Sequence, residues 1–188
     1  TTVFHVTAPV SPFRISSGVG LLIVSDNIGF NKDINLSASY SYLMDAGMGK
    51  LGIGIRLGII NKALEPTGQI PTGDGFTQAT EDPLIPVNKE SVLVFDAGIG
   101  AYYKADKYYA ALSVTHINQP KVKFTKDNAT AISYISRHYY FTGGYNLQLP
   151  NPSLELLPSV FAYSDGKVVQ FNVTSLVRYN KKVWGGVS

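Results

Sequence analysis

The chain contains no cysteine, so it builds no disulfide framework and performs no thiolate chemistry. Charge is sparse: Asp, Glu, Lys and Arg make up 15% of 188 residues, against roughly 25% in soluble domains. The balance is 16 − 13 = +3, spread without a basic cluster, and a nucleic-acid partner is not expected. Long apolar runs are missing. Leu21-Leu22-Ile23-Val24 is typical of the longest, far short of the ~18 residues a membrane-crossing helix needs. No segment shows a helical period. The three histidines, His5, His116 and His138, fall in different segments without the convergent spacing of a zinc site. No carboxylate pair is isolated enough for acid–base catalysis. No catalytic, cofactor-binding or metal-binding residue is therefore assigned, and an enzyme is not expected. The chain begins TTVFHV, without Met or a signal peptide, which fits a processed product or part of a longer protein.

What is abundant is tyrosine (12 residues), glycine (18 residues) and strict alternation. The segment from Ser91 to Asn118 is the clearest case. Leu93, Phe95, Ala97, Ile99, Ala101 and Tyr103 share one face, while Val92, Val94, Asp96, Gly98, Gly100, Tyr102 and Lys104 share the other. After a turn at Ala105-Asp106 the alternation resumes with Tyr108, Ala110, Leu112 and Val114. Pairing around that turn sets Tyr103 opposite Tyr108, Ile99 opposite Leu112 and Ala97 opposite Val114, so the apolar faces coincide. The other face is small and polar. It suits the wall of a hydrated lumen with the apolar face turned to lipid.

Ten strand-like segments are expected in all. Beside the two of the central hairpin they are Thr2–Thr7, Ser17–Asp26, Ile34–Leu43, Leu51–Ile60, Arg137–Leu147, Leu154–Ser164, Val168–Asn180 and Val183–Ser188. Connections at 44–49, 105–106, 148–152, 165–167 and 180–182 are short; those at 27–33, 61–90 and 119–136 are longer. This asymmetry is that of outer-membrane barrels. Tyr40, Tyr42, Tyr103, Tyr108, Tyr145 and Tyr179 lie beside short turns and are expected to form an aromatic band at one membrane interface. The fold class is all-β: an antiparallel up-and-down transmembrane barrel, one domain over 1–188, with one long irregular outer loop at 61–90. The last segment is too short to span a bilayer, so strands are expected to be missing at both ends.

Lumen-facing charges are few: Arg56, Asp96, Lys104, Glu155 and Arg178. Arg56 and Asp96 fall at similar heights on neighbouring strands, and Glu155 and Arg178 are diagonal neighbours, so both pairs are expected to be structural. His116, at the outer end of its strand, is expected at the lipid interface. Gly52-Ile53-Gly54 and Gly98-Ile99-Gly100 lie inside alternating strands and open no helix, which excludes a phosphate loop. The acidic loop carries Glu65, Asp74, Glu81 and Asp82, and the next one carries Lys121, Lys123 and Lys126. Together these outer loops are the expected partner-binding surface, because a barrel leaves only its rims and lumen for recognition.

The order and spacing of INLSASYSYLM, GKLGIGIRLGI, DPLIPVN, DAGIGAYYKADKYYAALSVTHINQP, RHYYFTGGYNLQL, LELLPSVFAY and VWGGVS resemble the PorP/SprF family of Bacteroidetes outer-membrane proteins. The resemblance implies a barrel of the type IX secretion and gliding machinery in the bacterial outer membrane. It also implies partners among other secretion proteins, outer-membrane lipid and exported cargo or adhesins, with no cofactor and no catalytic residues. Scaffolding secretion or anchoring exported surface proteins is the expected function. The alternative is a passive porin or small-ligand transporter. Inward-facing Tyr102, Tyr109, Tyr140, Phe161 and Trp184 lean toward a filled lumen.

Overall fold

A computed structural model describes residues 1–29, 31–65, 89–126 and 129–188. The described chain is all-β and antiparallel, apart from one 3-10 turn at Pro12–Arg14. Its strands are β1 (Thr2–Val10), β2 (Ser17–Ile28), β3 (Asn31–Ala46), β4 (Gly49–Leu64), β5 (Glu90–Ala105), β6 (Tyr108–Thr115), β7 (Lys121–Lys126), β8 (Ala129–Tyr134), β9 (His138–Tyr145), β10 (Leu147–Gln148), β11 (Leu154–Ser164), β12 (Val169–Tyr179) and β13 (Val183–Val187). Eleven of them form one sheet in the order β1-β2-β3-β4-β5-β6-β9-β11-β12-β13, with β10 added beside β11. β7 and β8 pair only with each other. The sheet is open: β1 pairs with β2 and β13 with β12, each on one side. All ten expected segments are consecutive strands of this sheet.

The pleat explains why parity alone sorts the side chains, since successive residues of a strand point to opposite faces. Register then carries each face across the sheet. Tyr42, Ile53, Ala101, Leu112, Phe141, Ala162 and Phe171 lie in one cross-strand row. The neighbouring row on the other face holds Ser41, Gly54, Gly100, Ser113, Tyr140, Tyr163 and Gln170. One face is thus continuously apolar and exposed, including Ile53, Ile55, Leu57, Ile59, Ile99 and Leu112. The other is lined by glycines and hydroxyls. At Gly58 a β-carbon would stand 2.7 Å from Leu36 O and 2.8 Å from Ser37 Cβ, so only glycine lets these strands pack as they do.

Three local expectations are corrected. The central hairpin pairs Tyr103 with Ala110, Ile99 with Val114 and Ala101 with Leu112, two residues away from the expected register. A slip of two keeps every side chain on its face, so the alternation pattern could not detect it. The connection at 27–33 is tight: β2 and β3 stay paired out to Ile28 opposite Asn31, and Gly29 takes the φ of +57° that a short hairpin turn requires. The stretch 119–136, expected as one of the longer connections, contains the β7–β8 hairpin, paired from Lys121 opposite Tyr134 to Lys126 opposite Ala129.

That hairpin completes the buried apolar cluster of the described residues. Val122, 1% exposed, sits with Ile60 and Val94 in the buried cluster, with Val92, Phe124 and Ile135 packed against it. Ile60, Val92 and Val94 all belong to the polar face by register. The hairpin therefore folds over one end of that face.

Candidate functional site

The polar face is organised around Asp96, which is 1% exposed. Its Oδ2 accepts a hydrogen bond from Arg56 Nη2 at 3.3 Å, and its Oδ1 lies 2.7 Å from His116 Nδ1. A carboxylate only accepts, so His116 Nδ1 carries the proton in this contact. Arg56 stands opposite Gly98 and reaches diagonally to Asp96; a β-carbon at Gly98 would meet Val114 O most closely, at 3.1 Å.

The placement of His116 corrects the expectation that it sits at a lipid interface. Parity assigns it to the apolar face, but its φ is +54°, a left-handed conformation uncommon for a side-chain-bearing residue. Ile117 N donates to Ala97 O at 3.0 Å, one residue beyond the position opposite Ala97 in the ladder. His116 is thus the extra residue of a bulge, and bulges re-aim side chains. Its ring lies 5.7 Å from that of His138, which is 5.3 Å from Tyr163. Tyr140 and Phe161 continue this chain of rings. Among the described residues no group of three His, Asp or Glu is arranged to hold a metal ion.

Asn118 and Arg137 fasten the bulge. Asn118 Nδ2 donates to Phe95 O at 2.7 Å, and Ala97 N donates to Asn118 Oδ1 at 3.2 Å. Arg137 Nη2 donates to Ile117 O at 2.6 Å. Neither residue was expected at the site from the sequence. The signal that could have found them is Asn118-Gln119-Pro120 directly after an alternating strand, a turn signature.

At the opposite end, Glu155 lies directly opposite Arg178, not diagonal to it, and Arg178 Nε donates to Glu155 Oε2 at 2.6 Å. Lys104 lies opposite Tyr109 on the same face and is exposed, with no ion pair among the described residues. Trp184 shares this face, opposite Arg178. The six tyrosines of the expected band, Tyr40, Tyr42, Tyr103, Tyr108, Tyr145 and Tyr179, all fall on the apolar face by register. The Tyr108 ring stands 5.7 Å from that of Tyr103 and 6.3 Å from that of Tyr145.

Of the outer-loop charges, Glu65 does not face the lysines of the next loop. It pairs with Lys32, and Lys89 lies 3.9 Å away. The Lys32 ammonium holds the Glu65 carboxyl below the usual carboxylate range. Lys121 stands 5.5 Å over the Tyr134 ring, and Lys123 is exposed. Asp74, Glu81 and Asp82 lie outside the described residues, as does the Lys126 side chain. In the short turn after β11, the backbone N–H groups of Val168 and Lys167 donate to Asp165 Oδ1 and lower its pKa.

One face of the sheet is apolar and the other polar, and among the described residues no helix is long and apolar enough to cross a membrane. Comparison with protein families matches residues 1–188 to the family described as "Type IX secretion system membrane protein PorP/SprF". No curated protein and no solved structure matches the chain. The chain belongs to the PorP/SprF family of type IX secretion system membrane proteins.

Proposed function

We propose that the chain is the barrel wall of an outer-membrane component that scaffolds type IX secretion or anchors exported surface proteins. The apolar face meets lipid, the tyrosine band marks one interface, and the polar face lines the lumen over a single domain. The observation that carries the anchoring role is the β7–β8 hairpin. A porin keeps its lumen continuous, whereas here Val122 is buried against Ile60 and Val94 at one end of the polar face. The rings of Tyr140, Phe161 and Tyr163 stand on that face as well. A lumen narrowed in this way favours recognition at the rim over passive flux, with other secretion proteins and exported cargo as partners.

Replacing residues 65–86 by a short Gly-Ser linker, and separately deleting the β7–β8 hairpin, tests the reading. Cargo display at the cell surface is expected to fail while the barrel still inserts. Intact display with unchanged partner recovery would refute it. Rapid solute uptake by liposomes carrying the purified protein would favour the porin instead.

A further inference from the structure

Among the described residues, the sheet carries an unpaired strand edge in its interior, away from both termini. β5 runs from Glu90 to Ala105, but its ladder with β6 extends only from Lys104–Tyr109 to Ile99–Val114. Above that point β6 departs through the bulge at His116, and a second left-handed residue, Gln119 at φ +44°, followed by Pro120, steers the chain onto the polar face. Asn118 caps the ladder by bonding Phe95 O and Ala97 N. Ala97 and Phe95 thereby show that odd-numbered residues of β5 direct their main-chain groups away from β4. The two-residue repeat gives Leu93 and Ser91 the same direction. No described residue pairs with the N–H and C=O of Leu93 and Ser91 or with the Phe95 N–H on that side. Leu93 and Phe95 are also 65% and 53% exposed.

An uncovered edge flanked by exposed apolar side chains is what natural sheets normally avoid, since it templates strand addition. Glu65 pairs with Lys32 and lies near Lys89 at this end of β3–β5, on the parity of the apolar face, which places the Ser91 end of the edge at the rim and not in the apolar belt. We propose that the β5 edge at Ser91–Phe95 is a docking site for an extended segment of a partner protein, which adds to the sheet as a strand. The proposal rests on the reading of this rim as the partner-binding surface and specifies its chemistry. Main-chain hydrogen bonds supply the recognition, and alternate side chains set specificity. On one face the segment meets Leu93 and Phe95 and carries apolar residues. On the other it meets the hairpin over Val92 and Val94 and carries small ones. Exposed Lys121 and Lys123, on either side of Val122 where it packs with Val94, favour acidic flanks.

The probe is a fluorescent eight-residue peptide of alternating Thr and Val with an Asp at each end, titrated against the full chain in detergent micelles. Binding is expected, and backbone N-methylation of alternate peptide residues should weaken it at least tenfold. Leu93→Pro removes one outward N–H and no bond to β4, a position where an edge strand tolerates proline; it should weaken binding similarly, while Leu93→Ala should not. Heat-modifiable electrophoretic mobility confirms that each variant is folded. If Leu93→Pro does not fold, the N-methylated peptide against the unaltered chain decides between the outcomes. Absent binding, or binding indifferent to N-methylation, overturns the proposal. So does a dimer of this chain that Leu93→Pro dissolves, because the occupant is then a second copy. None of these outcomes bears on the loop replacement above, whose readout is cargo display.

Discussion

Asp96 and His116 meet at 2.7 Å on the polar face, although strand parity puts them on opposite faces. The bulge at His116 produces the contact, and Arg56 completes it from the other side. Both oxygens of Asp96, 1% exposed, are thereby partnered, as a buried polar group requires.

Removing that carboxylate leaves Arg56 and His116 without their shared acceptor. Asp96→Ala is expected to destabilise the folded barrel by about 3 kcal/mol, the scale for breaking a buried pair on one side. Replacing Arg56 and Asp96 together by Met and Leu should recover much of the loss. Urea titration of the protein in lipid vesicles measures both.

Charge on the apolar face should be costly. Ile53→Arg and Ile99→Arg place a cation where the proposed orientation has hydrocarbon, with an expected cost of roughly 2–4 kcal/mol. Ser113→Arg, on the opposite face one row away, should cost far less. Equal costs on the two faces would contradict the assignment of lipid and lumen.

Glycine positions divide by local space. Gly58→Ala drives a β-carbon into Leu36 O and Ser37, and about 1–3 kcal/mol of destabilisation is expected from such overpacking. Gly185→Ala meets nothing within 4 Å and should be near neutral. Thermal unfolding of the two variants side by side checks the contrast.

The hairpin seat depends on one apolar side chain. Val122→Asp should release β7–β8 from Ile60 and Val94 while the sheet stays folded, since the hairpin pairs with no sheet strand. Brief proteolysis should then cut within 119–136 in the variant and not in the parent. Cleavage elsewhere, or none, would show that the seat is held by other contacts.

Acid should loosen the rim before the barrel. The Glu65 carboxyl has a lowered pKa because of Lys32. Its contact therefore contributes stability above the unfolded value of ~4.3 and loses it as pH falls through the folded value. Amide exchange at the ends of β3 and β4 should quicken over that acidic window. Glu65→Gln should abolish the pH-dependent part, and salt should weaken it because the pair is partly exposed.

Face identity was a property of the sequence alone. A strand's side chains repeat every two residues whatever its partner, so Ile53, Ile99 and Leu112 could be set apart from Gly54, Gly100 and Ser113 from alternation, together with the ten-strand order. Register was not legible in this way: a slip of two leaves each face intact, and only the folded ladder distinguishes Tyr103–Ala110 from Tyr103–Tyr108. The site was legible only in part. Arg56, Asp96, Glu155 and Arg178 could be named because parity holds along regular strands. His116 could not, because a single left-handed residue inverted its direction. The docking of Val122 and the bare edge at Leu93 were decided by tertiary structure, since both depend on where the chain travels after leaving β6, a path set by non-local packing and not by any local repeat.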